Sequence, residues 1–559
     1  MSILGKDVAN DLELFVSYAH TEEGTLLETV SSFARTPETK RLVRNILERP
    51  SADRVRIEGF QQRIAAIKAL DTGRLTKLTD AVIAHIEEPE WILRNLAEGA
   101  DTETTGEHVF DPKEALLFQL SVLRAMGMND RTTCLNVLYY YTTIGAPISS
   151  VVTPFLYATV PFLVVMLKLK IRIPVRQFVQ LLSQAVWTLY TQSSGLAKIQ
   201  WLSLSASLFF YLKGIVGTFQ ISYHTRRVAD MLYNHMDGFR TFLRSSIALL
   251  DTVLPNYDPS FHENALSTFW AISRANVGAT VYAFRTAMSP DHEWMKLYRV
   301  VHSALADVSI AQYVLRKNLC RVEFVDETEG TVLRMKDMTH PCIDDGVTND
   351  ADMTRSHLVI TGPNAAGKST YIKAIVSNIV LSQTIGFAHA SRIHMSPFSS
   401  IHTQINIPDC KGDESLFQAE MRRCKIALNL MRERSSATDR VLLVFDEIFN
   451  STNVVEGVAG AYAVLNKLAS YDNARILLTT HYPYLTKLSN FKRVKMVAHV
   501  NDGGDIEYPY RIKEGISRQY IALELLREED FDPDVIENAI QIKTKLLRKI
   551  NKEAVQKER

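Results

Sequence analysis

The sequence predicts a multidomain chain of α + α/β class, with a helical first part to about residue 317 followed by a P-loop α/β domain. That domain should have a mostly parallel sheet and end in C-terminal helices. Three observations predict it. The chain has 559 residues, too many for one core and suited to about three or four domains. Apolar residues recur at helical spacing early in the chain. Near Glu323 the pattern changes to short β-branched runs alternating with helical segments, the signature of an α/β sheet.

Composition bounds the function classes. Apolar residues make up 46% and charged residues 22%, which excludes wholesale disorder. A net charge of +1 gives no global attraction for polyanions, so nucleic-acid binding would need a local basic surface. Five scattered cysteines, Cys134, Cys320, Cys342, Cys410 and Cys424, form no CxxC pair. This argues against a disulfide framework or zinc site and suits a reducing compartment. The N-terminus lacks a signal-peptide pattern, and an intracellular location is expected.

Within the first part, residues 26–33 and 60–70 read as amphipathic helices. Thr36-Pro37-Glu38 reads as a helix start and Pro50 as its close. No repeat of solenoid period is visible. Residues 132–167 contain no Asp, Glu, Lys or Arg, and a basic patch follows at Lys168, Lys170, Arg172 and Arg176. Two more weakly polar stretches, 177–197 and 199–212, come next. The uncharged run exceeds the roughly 20 apolar residues that span a bilayer. A second span over 202–219 is interrupted by Lys213. Two readings stay open: a membrane hairpin, or a hairpin buried in a soluble core. The domains expected are 1–131 helical core, 132–225 hydrophobic hairpin, 226–317 helical return, 318–510 α/β and 511–559 C-terminal helical.

The chemistry lies in the α/β part. Gly362-Pro363-Asn364-Ala365-Ala366-Gly367-Lys368-Ser369 meets the pattern G-x-x-x-x-G-K-[ST] between a buried strand at 357–361 and a helix expected over 370–381. Glycines let the backbone wrap phosphates, and N–H groups at the helix N-terminus face them. Lys368 is expected to reach the β- and γ-phosphates, and the Ser369 hydroxyl to ligate Mg²⁺, with Thr370 extending the hydroxyl set. The strand 441–445 ends in Asp446-Glu447. Asp446 is expected in the magnesium shell and Glu447 as the group that polarises the attacking water. The strand ending in Thr480-His481-Tyr482 places His481 where it can sense the γ-phosphate. The absence of an Asn-Lys-x-Asp motif favours ATP over GTP.

The phosphate loop resembles that of the MutS DNA mismatch-repair ATPases, relatives of the ABC ATPases. So do Thr339-His340-Pro341, Ser415-Leu416-Phe417-Gln418-Ala419-Glu420-Met421, Asp446-Glu447-Ile448 through Glu456-Gly457, and Thr480-His481-Tyr482. Residues 36–50 and Gln62-Arg63-Ile64 resemble the start of that family's helical core. Gly515-Ile516-Ser517 and Pro533-Asp534-Val535-Ile536 resemble its closing helices. The resemblance implies an ABC-type ATPase domain, C-terminal dimerisation helices, a homodimer and DNA as partner, with Ser415 meeting the other subunit's γ-phosphate. Two departures stand out. The family's Gly-Arg before the signature serine is Asp413-Glu414, and its Gly-Arg-Gly after the acidic pair is Phe449-Asn450-Ser451. Acid near a γ-phosphate weakens such a composite site. The resemblance is absent over 132–223, and no mismatch-reading domain is recognisable. The expected activity is ATP hydrolysis coupled to clamp movement on DNA, in mismatch repair or on another DNA structure such as a junction. A membrane-attached ATPase without mismatch recognition is the alternative.

Overall fold

In the computed structural model, the described residues are 3–17, 21, 23–101, 132–168, 170–171, 173–191, 195–255, 266–289, 292–325, 330–405, 407, 415–434, 436, 439–500, 506–517 and 531–557. Asp413-Glu414, Arg172 and residues 102–131 lie outside them. Residues 1–72 with 302–559 form one unit, and residues 73–301 form a second.

The first unit is built on a six-stranded sheet. Its order is Ile512–Glu514, Phe491–Met496, His357–Thr361, Ala474–Thr479, Val441–Asp446 and Ser400–Gln404. All neighbours are parallel except the edge pair of Ile512–Glu514 with Phe491–Met496. The expected mostly parallel sheet is therefore present. His357–Thr361 is buried along its length, as is Val441–Asp446 up to its last residue. Burial on both faces is what an apolar run without alternation dictates. The helix after the phosphate loop is Lys368–Thr384, longer at both ends than the expected 370–381. A second sheet carries Glu323–Phe324, Arg392–Met395, Leu333–Met338 and Asn349–Asp352, in that order. Nothing in the sequence pattern announced it.

The core beside the site packs Phe445, Leu443, Val359, Ile476 and Leu478 with Ala461 and Leu465 of the helix Val454–Ala469. Phe445 is fully buried one residue before Asp446. Phe445→Ala is expected to cost about 3–5 kcal/mol through lost transfer energy and an unfilled cavity. A lower urea midpoint for loss of nucleotide binding would show it; an unchanged midpoint would mean the site collapses without penalty.

Local chemistry sets the start of one N-terminal helix, and a buried amide ties the next into the first unit. The helix Pro37–Leu47 begins as the sequence predicts, with the Thr36 side chain accepting from the Thr39 N–H and Pro37 in the first turn. The first-unit helix Arg54–Lys68 holds Gln61, whose Nε2 donates to the carbonyls of Val322 (3.0 Å) and Gly386 (2.6 Å).

The second unit is helical. Met236, Phe239, Phe242, Phe269 and Trp294 are fully buried in it, with Phe239 edge-on to both Phe269 and Trp294 at 5.2 Å. The uncharged run forms the helix Thr132–Tyr140, a π-helical turn Tyr141–Gly145 and the helix Ala146–Leu167. The helix Val175–Thr191 follows. One helix of 59 residues, Gly195–Val253, then runs through residue 225, where composition suggested a boundary. The suggested boundaries at 131 and 225 both fall inside this unit. The segment expected to be helical from 511 begins instead with a strand of the main sheet, and its helix is Pro533–Lys557. Among the described residues, no helix is long and apolar enough to cross a membrane. A spanning hairpin is therefore not supported. Nor is the described part of 132–223 a buried core: Val152, Phe155, Leu202 and Phe209 are exposed.

Candidate active site

The sheet directs its chemistry to one end. In a parallel α/β sheet, side chains and loops at the carboxyl ends of adjacent strands converge on a crevice. Here three neighbouring strands deliver the phosphate loop, Asp446-Glu447 and Thr480-His481 to that end.

The loop holds unusual backbone geometry. Gly367 has φ +89° and Ala365 φ +64°, the left-handed region where glycine is free and alanine is strained. A Cβ on Gly362 would sit 2.9 Å from the Met496 Cβ, so the close approach of that strand requires glycine. Strain of this kind persists where surrounding structure enforces it, commonly at ligand sites.

Lys368 is buried at 6% exposure. Its ammonium donates to the Pro363 carbonyl at 3.1 Å and lies 3.2 Å from His481 Nε2 and 3.6 Å from Glu447 Oε1. Burial draws its pKa below the ordinary lysine value, while Glu447 and then Asp446 act to hold the charge. Ser369 Oγ donates to Asp446 Oδ2 at 2.7 Å, and the Thr479 hydroxyl bonds the other carboxylate oxygen. Glu447 stands at φ +54°, its N–H directed to the Thr479 carbonyl at 3.2 Å. Its carboxylate meets His481 Nε2 at 2.6 Å and accepts from Asn450 Nδ2 at 3.1 Å. The bond with His481 is the main force holding the Glu447 pKa below its usual value, against burial.

The expected residues Lys368, Ser369, Asp446, Glu447 and His481 are thus in one cluster. Thr370 lies instead on the wall of a neighbouring cavity of about 590 Å³, between Ala365, Gly367 and Tyr371 and facing the Ile343–Val347 segment and Tyr510. That cavity lies against the loop and has the size and mixed walls of a small-molecule site. Its His340 is held neutral, with a pKa pulled down to about 4 chiefly by burial and then by Lys373. Ser415 is apart from the cluster in its bonding. It caps the helix Leu416–Glu433, accepting from the Gln418 N–H while its own N–H donates to Gln418 Oε1.

Asp446 with Ser369 fits a magnesium ion. Both offer hard oxygen donors already 2.7 Å apart, and Mg²⁺ takes few protein ligands beside phosphate and water.

Sequence reasoning missed two contributors, Thr479 and Tyr510. Thr479 pairs in register with Asp446 across parallel strands, a relation visible only once the strands are aligned. Tyr510 comes to the loop from a distant segment. Phe449, at φ +55°, lays its ring 5.5 Å from that of Phe417 in the first turn after Ser415. Ser451 Oγ donates to Glu420 on the same helix at 3.0 Å. The departures after the acidic pair therefore pack against the signature helix.

Residues 358–547 match the family described as MutS domain V, a span that takes in Lys368, Ser369, Ser415, Asp446, Glu447 and His481. The DNA mismatch repair protein MutS of Oceanobacillus iheyensis is 31% identical over 248 residues, covering 42% of this chain and 27% of that protein. MutS of Pelotomaculum thermopropionicum is 27% identical over 263 residues, covering 45% of this chain and 29% of the relative. The DNA mismatch repair protein MSH3 of Arabidopsis thaliana is 28% identical over 259 residues, covering 43% and 23%. The chain thus spans less than a third of the length of these relatives.

Proposed function

We propose, from a chain whose residues 358–547 match MutS domain V, that this is a MutS-like ATPase acting on DNA as a homodimer. The observation that carries the reading is the convergence of Lys368, Ser369, Asp446, Glu447 and His481 at one end of three adjacent parallel strands. In this reading Gly362–Thr370 wraps the triphosphate of ATP. Lys368 exchanges its contacts with Glu447 and His481 for the β- and γ-phosphate oxygens. Ser369 and Asp446 hold Mg²⁺, which when bound neutralises charge on the phosphates. Glu447, kept ionised beside His481, orients the attacking water and takes its proton. His481 turns towards the γ-phosphate. Ser415, at the N-terminus of its helix, faces the nucleotide of the other subunit, where the helix dipole favours the anion. ATP binding and hydrolysis would then move helical arms on DNA, held mainly through its phosphates.

The test is the ATPase rate of the full chain with duplex and branched DNA. The rate should change with DNA, and the effect should weaken as salt rises. A second reading, a membrane-attached ATPase with no DNA substrate, draws on the exposed apolar helices of the second unit. A rate indifferent to every DNA at low salt would remove the DNA reading and favour it.

A further inference from the structure

We infer that the apolar helices of residues 146–223 form a lipid-binding surface that enters the outer part of a phospholipid bilayer. This rests on the membrane-attached reading above and deepens it by naming the surface and the lipid, and it does not depend on the nucleotide chemistry.

Start with the side chains. On the helix Ala146–Leu167, Phe155 is 70% exposed and Leu167 75%, with Leu156 and Leu163 also exposed. The exposed pairs Val151–Val152, Phe155–Leu156 and Leu163–Val164 spread over more than half the helix circumference at 100° per residue. Across from it, the first half of Gly195–Val253 exposes Leu202 and Phe209 in the same manner. The two helices pair through Tyr211 and Ser150, and Ser222 reaches Thr143 in the π-helical turn before the first of them. Together they expose a run of large apolar side chains of the kind that marks an interaction surface.

The backbone says what should cover it. Pro147 and Pro154 lack an N–H, so the carbonyls four residues back, on Thr143 and Ser150, lose their helical donors. Both are supplied from the neighbouring helix. Thr143 accepts from Ser222 Oγ at 2.7 Å and Arg226 Nη2 at 3.2 Å, and Ser150 accepts from the Tyr211 hydroxyl. The hydroxyls of Ser149, Ser150, Thr153 and Thr159 all donate to carbonyls of their own helix. The hydroxyls and proline-freed carbonyls of this helix are thus satisfied within the protein, as hydrocarbon requires of polar groups that enter it. Exposed cations stand at the end of the apolar helix: Lys168, Lys170 and Arg176. Phospholipid headgroups, above all anionic ones, match them. Insertion from one side needs no complete crossing, in keeping with the absence of a spanning helix among the described residues.

The experiment uses the full chain in flotation with vesicles of phosphatidylcholine alone and with phosphatidylglycerol. Most of the protein should float, more with the anionic lipid, and carbonate should not release it. Leu156→Lys with Phe209→Lys should lower the floated fraction at least several-fold while ATP binding, which reports folding, is retained. In the unsubstituted protein, brominated phospholipid should quench part of the tryptophan emission, a readout independent of any variant; Trp187 is 67% exposed within this region. A protein that stays monodisperse without detergent, does not float and is not quenched would overturn the inference. So would a detergent-free oligomer dispersed by the same substitutions, which would assign the face to a second copy of the chain.

Discussion

Glu447→Gln is expected to bind Mg-ATP and hydrolyse it about 10²–10⁴-fold more slowly, the usual share of a positioned general base. The geometry makes the change selective. Glutamine keeps the length of the side chain at a backbone position held at φ +54°, and it can still bond Asn450. What it loses is the negative charge facing Lys368 and His481. ATP-loaded protein should therefore accumulate, and light scattering should show a larger dimeric fraction with ATP than for the unsubstituted chain. Single-turnover kinetics separate this from slow product release. If turnover is unchanged while binding is intact, Glu447 has only a structural role.

Lys368→Ala is expected to have the largest effect on binding. Charge-assisted hydrogen bonds contribute about 1.5–3 kcal/mol each, and two phosphates would lose theirs. The nucleotide Kd should rise on the order of 10²–10⁴-fold. Folding should survive, because Glu447 retains His481 and Asn450 as partners. Near-normal affinity in the folded variant would remove the site assignment. The same variant tests the shared site. Mixed with Ser415→Ala, it yields a heterodimer in which one nucleotide faces an intact Lys368 and an intact Ser415 from the other subunit. Partial recovery of ATPase activity is the expected result. No recovery after proven subunit exchange would argue that Ser415 acts within its own chain or not at all.

Much of the site was legible because its signals are local. The phosphate loop, the apolar runs 357–361 and 441–445, and the Thr36-Pro37 helix start each depend on a few neighbouring residues. The relations that were not legible join distant segments. Thr479 reaches Asp446 only through strand register. The cavity beside Gly367 draws on residues from Met338 to Tyr510. The second sheet consists of strands of two to six residues, and only Leu333–Met338 carries an alternating start, Leu-Arg-Met-Lys. The suggested boundary at 225 had a different cause. Around it the residues change from exposed apolar, such as Phe219, to an amphipathic pattern with Ala229 and Leu232 buried. The chain there changes its surroundings without breaking its helix.

That unbroken helix has a mechanical consequence. At 1.5 Å per residue, the 59 residues of Gly195–Val253 make a rod of about 88 Å. Its sequence contains no proline to provide a sharp hinge. Its later turns, from Met236 to Leu250, are anchored by fully buried side chains, while its early turns carry the apolar surface. A tilt of about 5° about the anchored turns near Phe239 would move the start of the helix, about 66 Å away, through roughly 6 Å. Small repacking in the core around Phe239 and Trp294 is thereby amplified into a displacement of several ångström at the apolar turns.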